Sequence, residues 1–306
     1  MTARALLIEP TATLRASSIV RRLMRNPTVV FGVVILGLIV AMGVAAPWLA
    51  NFDPAAINPT FRNKTPGAME TVRADDGTKI EVRHWMGTDS LGRDVASRVV
   101  YGARASLLVG VSVAIIAVGI GLVIGLAAGY VRWLDGIVMR LMDGLMAIPA
   151  ILLAIAVVSL SSAGLVAVIV AIVIPEVPRV VRLVRSIVLS VREEPYVEAA
   201  IAVGTPTLPL IIRHILPNTL PPLIVQATYI CASAILIEAI LSFLGVGIPA
   251  QTPTWGNIMA EGRTLFRVYP HNILYPGIFL ALTVLAVNLL GDGLRDTLDP
   301  RMRKRL

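Results

Sequence analysis

The chain has 306 residues, is 56% hydrophobic and only 15% charged, and carries a formal net charge of +8. The apolar share exceeds that of a soluble domain and falls in blocks of about 20 residues, the helix length that crosses a bilayer core of about 30 Å. The arginines edge those blocks instead of interleaving with aromatics on one face, which argues against a nucleic-acid surface, and the single Cys231 excludes a disulfide framework and a thiolate metal cluster.

Residues 1–27 form an arginine-rich N-terminal segment that includes Arg21, Arg22 and Arg25. Asn26-Pro27 supplies a cap and a proline at the first helical position. The apolar run that follows predicts a first transmembrane helix over 28–50, too long for a signal-peptide core and therefore uncleaved. Residues 51–104 are a nearly neutral hydrophilic insert. There, Thr71-Val72-Arg73 and Lys79-Ile80-Glu81-Val82 alternate around Asp75-Asp76-Gly77, a hairpin pattern. The second span, 105–130, carries Gly121, Gly125 and Gly129 on one face, where a neighbouring backbone can approach closely.

A third span is expected over 136–159 with a kink at Pro149. The fourth starts at Leu165, turns amphipathic after Ile174, and carries Arg179, Arg182 and Arg185 on one side as it emerges into the cytoplasm. The fifth covers 219–245, with Pro221 and Pro222 in its first turn, where backbone donors lack helical partners anyway. The sixth covers 272–291, and a basic cytoplasmic tail, 296–306, ends Arg301-Met302-Arg303-Lys304-Arg305. Placing both termini inside puts most of the 27 Lys and Arg residues on the cytoplasmic side. The expected fold class is all-α: a polytopic membrane protein with six transmembrane helices, a five-helix core over 105–295, and a small extracytoplasmic insert.

A polar island at 190–217 interrupts the apolar blocks. Glu194-Pro195 can open a helix whose positive end Glu193, Glu194 and Glu198 favour; Gly204 can close it in a left-handed conformation. Thr205-Pro206 or Thr207 can cap a second short helix reaching His214, before Pro217 and the next span. Ala199 and Ala200 give the first helix a flat face. Spacing alone leaves two readings open: a knuckle gripped by a soluble partner, or an amphipathic loop lying on lipid headgroups.

Glu198-Ala199-Ala200, then Gly204, then Leu216-Pro217, resembles the EAA loop of ABC-importer permeases. Arg213-His214-Ile215-Leu216-Pro217-Asn218 is similar to the dipeptide/oligopeptide/nickel branch. So are Gly87-Thr88-Asp89-Ser90-Leu91-Gly92-Arg93-Asp94-Val95, Tyr101-Gly102-Ala103-Arg104, Leu241-Ser242-Phe243-Leu244-Gly245 and the segment Asn288–Asp296. Pro206 and Pro209 depart from the pattern, and no role for the insert carries over. The resemblance implies the type I permease fold of a multi-pass inner-membrane subunit with no enzymatic activity and no cofactor of its own. Its implied partners are a second homologous permease, two cytoplasmic ABC ATPases that bind ATP and Mg, and an extracytoplasmic solute-binding protein. Glu198, Ala199, Ala200, Gly204, Arg213, His214, Leu216 and Pro217 are the implied ATPase-coupling residues. Cargo would be di- or oligopeptides; nickel or another small solute is the alternative within the branch, and an ion-coupled secondary transporter the alternative outside it.

An absence fits this division of labour, since the sequence contains no phosphate-binding Gly-x-x-x-x-Gly-Lys-Ser/Thr loop. Ionisable groups at membrane depth face protein or a wet cavity. Glu238, deep in the fifth span, is accordingly a candidate for the translocation path, and Asp143 is expected to pair with Arg140. His84, His214 and His271 lie on separate segments without metal-ligand spacing, so no metal site is expected.

Overall fold

The computed structural model describes residues 23–73, 79–161 and 164–298. Arg21 and Arg22, the Asp75-Asp76-Gly77 turn and the basic tail beyond Leu298 lie outside the described residues. Helix α1, Pro27–Val44, opens as expected: the Asn26 side chain accepts the Thr28 N–H at 3.1 Å and Pro27 takes a first-turn position. It ends earlier than the predicted 28–50, and a one-turn α2, Ala46–Leu49, follows. Pro47 has no N–H to continue the ladder, so the helix restarts there.

The insert folds as an antiparallel hairpin, β1 (Ala68–Arg73) and β2 (Lys79–His84), in register from Ala68↔His84 to Arg73↔Lys79. Next comes α3, Val95–Tyr130, which starts well before the predicted residue 105. Its cap is Asp94, whose carboxylate accepts the Ser97 N–H at 2.7 Å. The sequence hid this start because Arg98 and Arg104 look like loop residues, whereas Arg98 is fully buried among acidic partners.

The predicted kink at Pro149 is a full break. Helices α4, Arg132–Met146, and α5, Ala150–Ser159, meet at 86°. Proline both lacks a donor and drives the residue before it out of helical conformation. Helix α6, Leu165–Val191, is continuous through Pro175 and Pro178. Two short helices, α7 (Pro195–Ala202) and α8 (Thr207–Leu210), precede α9, Leu216–Phe243. Helices α10, Trp255–Gly262, and α11, His271–Leu298, complete the described chain.

Among the described residues, four helical runs are long and apolar enough to cross a membrane: Pro27–Val44, Val95–Tyr130, Thr207–Phe243 and His271–Leu298; the bent α4–α5 pair makes a fifth if counted as one span. The sequence-based count of six differs at α6, where every bilayer-length stretch includes Glu176, Arg179 and Arg182.

The glycine face of α3 is used as its spacing predicts. A Cβ on Gly121, Gly125 or Gly129 would come within 2.4, 2.6 and 2.7 Å of the Cβ atoms of Val180, Val184 and Val188 on α6. Such close approach replaces the hydrophobic drive that lipid does not provide. The main core lies between α3, α6 and α9, with Val113, Ala117, Ile172, Ile230 and Ala234 at its centre. A second cluster joins α1, α3 and α10 around Val95, Val99 and Trp255, whose indole N–H donates to the Val99 carbonyl at 3.1 Å.

Candidate functional site

The 190–217 segment forms a helix, a glycine turn and a second helix. Glu194 is the extended residue before Pro195, and Glu198 sits exposed in the first turn of α7. Gly204 ends that helix at φ +80°, its N–H bonding the Ile201 carbonyl at 2.9 Å while Thr205 N–H reaches Ala200 at 3.1 Å. These two reversed bonds are the Schellman closure that a left-handed glycine permits. A Cβ on Gly204 would meet nothing within 4 Å, so the position requires glycine for its backbone angle and not for space.

Beyond the turn the chain departs from expectation. Pro206 caps α8 and Pro209 falls in its first turn, where a missing donor costs little. The second helix does not stop before Pro217. A π turn over Ile211–Ile215 joins α8 to α9, so helical structure runs from Thr207 to Phe243 and Pro221 and Pro222 are interior. The Leu216 N–H reaches back to the Ile211 carbonyl, the wider i→i−5 spacing that lets the ladder pass a proline at the next position.

The predicted coupling residues divide by exposure. Glu198, Ala199, Gly204, Arg213 and Pro217 are exposed; His214 and Leu216 are half-buried. Ala200 does not share an open flat face with Ala199: it is buried with Val197 and Leu210, packed on Tyr130 and Val191 at the ends of α3 and α6. The Asn218 amide donates to the His214 carbonyl at 2.6 Å and to the Tyr196 hydroxyl at 3.1 Å, tying α7 to the base of α9. Sequence reasoning overlooked the apolar side chains displayed here. Val203 is 83% exposed, and Ile201, Leu208 and Ile212 are exposed beside it.

Buried charge is arranged differently from the expectation. Glu238 is fully buried, accepting from Ser242 at 2.8 Å and from Ser106 on α3 at 3.3 Å. This places it inside a helix junction and off any solvent-facing surface of the chain. Asp143 accepts from Arg182 at 2.6 Å instead of pairing with Arg140. Glu176, overlooked because prolines and arginines surround it, is buried at 1% exposure and accepts from Arg179 at 2.9 Å and Ser233 at 3.3 Å.

The segment Gly87–Val95 closes the opposite end of the bundle. The Asp89 carboxylate accepts from Arg93 Nε at 2.8 Å, from Arg98, and from the backbone N–H groups of Leu91 and Arg93; both arginines also reach Glu261 on α10. Nearby, the His84 ring lies between the carboxylates of Asp94 and Glu70, each at 2.9 Å, and stacks on Phe52 with ring centroids 4.5 Å apart. Among the described residues no three His, Cys, Asp or Glu side chains converge as a metal site.

Residues 117–304 match the family described as binding-protein-dependent transport system inner membrane component, and residues 16–66 match the N-terminal transmembrane domain of oligopeptide transport permease C. The chain is 50% identical, over 95% of both chains, to a probable peptide ABC transporter permease, y4tQ, of Sinorhizobium fredii. It is 41% identical to the dipeptide transport system permease DppC of Alkalihalophilus pseudofirmus, over 92% of this chain and 89% of that one. With the oligopeptide transport system permease OppC of Bacillus subtilis the identity is 34%, over 92% and 88%. Among solved structures, an inward-facing MetNI methionine ABC transporter chain shares the fold with a TM-score of 0.55 and 20% identity, over 66% of this chain and 96% of that one.

Proposed function

Because this chain belongs to the family of binding-protein-dependent transport system inner membrane components, we propose that it forms one half of the membrane path of an ATP-driven importer of di- and oligopeptides. It is a transport subunit and not an enzyme. The other half of the path is a second homologous permease. Two cytoplasmic ABC ATPases hold ATP and Mg, and an extracytoplasmic solute-binding protein delivers the cargo. In this reading the chain crosses the inner membrane six times, through α1, α3, the bent α4–α5 pair, α6, α9 and α11. Both termini are cytoplasmic and residues 51–104 lie outside. The relatives' names support the peptide cargo.

The observation that carries the reading is the knob around Gly204. Its outer side presents Ile201, Val203, Leu208 and Ile212, while its inner side is pinned through Val197 and Leu210 to the ends of α3 and α6. Apolar surface covered by a partner stabilises docking at about 25 cal/mol per Å² removed from water. A knob pinned to two long helices passes a partner's displacement on to them as one body. ATP binding would draw the ATPases together, carry the two knobs with them, and turn the permeases from inward-open to outward-open. Glu198, Ala199, Gly204, Arg213 and Pro217 would meet the ATPase; Ala200, His214 and Leu216 would brace the knob from within. Glu238, closed off between α3 and α9, would act as a tether between helices.

The test is uptake of dialanine by the complete complex in proteoliposomes, with ATP on the ATPase face and ionophores collapsing all gradients. Uptake should persist, and Val203→Asp should abolish it together with peptide-stimulated ATPase. Uptake that follows an ion gradient and ignores ATP would overturn the reading.

A further inference from the structure

A row of charge runs along one side of α6. Arg179 meets Glu176 within the helix, Arg182 meets Asp143 on α4, and Arg185 meets Asp135 on α4, its Nη2 at 2.6 Å from the carboxylate. The lower two arginines are each matched by a carboxylate from the neighbouring helix. Arg179 differs, because its partner Glu176 is almost completely buried while the arginine side chain is 47% exposed. Its Nη1 makes both contacts to the Glu176 carboxylate, at 2.9 and 3.2 Å; among the described residues Nε and Nη2 donate no hydrogen bond. The free edge of the guanidinium therefore faces outward.

Depth decides what it can face. In the six-span reading α6 enters the bilayer at Leu165, and the stretch of about 20 residues that crosses a core of about 30 Å runs past Arg179, so its head lies within the hydrocarbon thickness, short of the part that emerges into the cytoplasm. A charge held there against hydrocarbon would be costly, and such groups face a protein interior or water. Snorkelling does not relieve it, because Glu176, one turn away and inside the bundle, holds the arginine head in place. The Ser233 hydroxyl donates to the same carboxylate from α9, fixing Glu176 from a second helix.

We infer that Arg179, oriented by buried Glu176, is a carboxylate-binding station in the translocation path, where Nε and Nη2 take the C-terminal carboxylate of a peptide in passage. The planar edge of a guanidinium matches a carboxylate through two parallel bonds, which a lysine cannot reproduce. Glu176 is a positioning residue, and its charge keeps the empty station neutral, so a bound carboxylate is held weakly enough to leave. This rests on the proposed peptide importer, and its test separates the two.

In the complete complex, with Cys231→Ala removing this chain's one native thiol, Arg179→Cys is exposed to membrane-impermeant methanethiosulfonates, with and without ATP, and labelling is read on this chain alone. Labelling in at least one state is expected. No labelling in either state would place Arg179 against the second permease or lipid and overturn the station. In parallel, proteoliposomes are given trialanine and trialanine amide, with binding-protein affinities measured separately. Arg179→Gln should lower the preference for the free carboxylate by about tenfold, the scale of a lost charge-assisted pair, and Arg179→Lys should restore only part of it. Glu176→Gln keeps an acceptor oxygen for Arg179 but removes the neutralising charge, so it should raise the preference for the free carboxylate and slow its release, a change that loss of folding would not produce. An unchanged preference in Arg179→Gln overturns the station while leaving peptide import intact. Aqueous labelling of Arg179→Cys, together with a wild-type complex that moves neither peptide, keeps Arg179 in a wet path and overturns the peptide cargo.

Discussion

The two ends of the helix bundle are built on opposite principles. At one end, Asp89, Arg93, Arg98 and Glu261 join the insert, α3 and α10 through buried ion pairs whose acceptors are mostly satisfied. At the other, α7 and α8 are held by three buried apolar residues, Val197, Ala200 and Leu210, and leave larger apolar side chains uncovered. The first end is held by charge, with Arg98 Nε left without a hydrogen-bond partner among the described residues. The second leaves apolar surface open, the surface on which the proposed ATPase docking rests.

This contrast can be broken most forcefully at the ion-pair end. Arg98→Ala leaves Arg93 alone to face the buried carboxylates of Asp89 and Glu261 and should destabilise the chain by about 3–5 kcal/mol, read as a lower melting temperature of the purified permease in detergent. A melting curve unchanged by this variant would falsify the claim that this end is locked by charge. Between the ends, Gly125→Leu forces a side chain into Val184 and should cost about 1–3 kcal/mol, measurable by the same melt. Gly204→Ala strains only the backbone at φ +80° and should cost about 1 kcal/mol, with Gly204→Asn milder; denaturation midpoints of the pair decide it. The smallest stability effect sharpens the comparison most. Val203→Asp should shift stability by no more than about 0.5 kcal/mol, since the site is exposed, yet lower peptide-stimulated ATPase by at least about tenfold. If Val203→Asp couples normally, the knob is not the contact.

Much of the 190–217 segment is legible in the sequence. Proline at Pro195 opens a helix and glycine at Gly204 closes one, whatever surrounds them. The π turn was not legible, because nothing in Ile211–Ile215 distinguishes an i→i−5 ladder from an α-helix, and its need arises from the proline two residues on. Nor could the sequence tell that Ala199 faces out and Ala200 in. That depends on where Tyr130 and Val191, contributed by two distant helices, end up.

Taken alone, the sequence determined the hairpin, the proline break after Met146, the glycine face of α3 and the helix-glycine-helix knob, since each follows from local dihedral limits, missing donors or residue period. Only the tertiary structure decided the partners of charge. Asp143 meets Arg182 instead of Arg140, Glu176 holds Arg179 with help from Ser233, and Glu238 disappears between α3 and α9. Electrostatic pairing acts through space, and a carboxylate's neighbour on another helix is fixed by packing that no local pattern encodes.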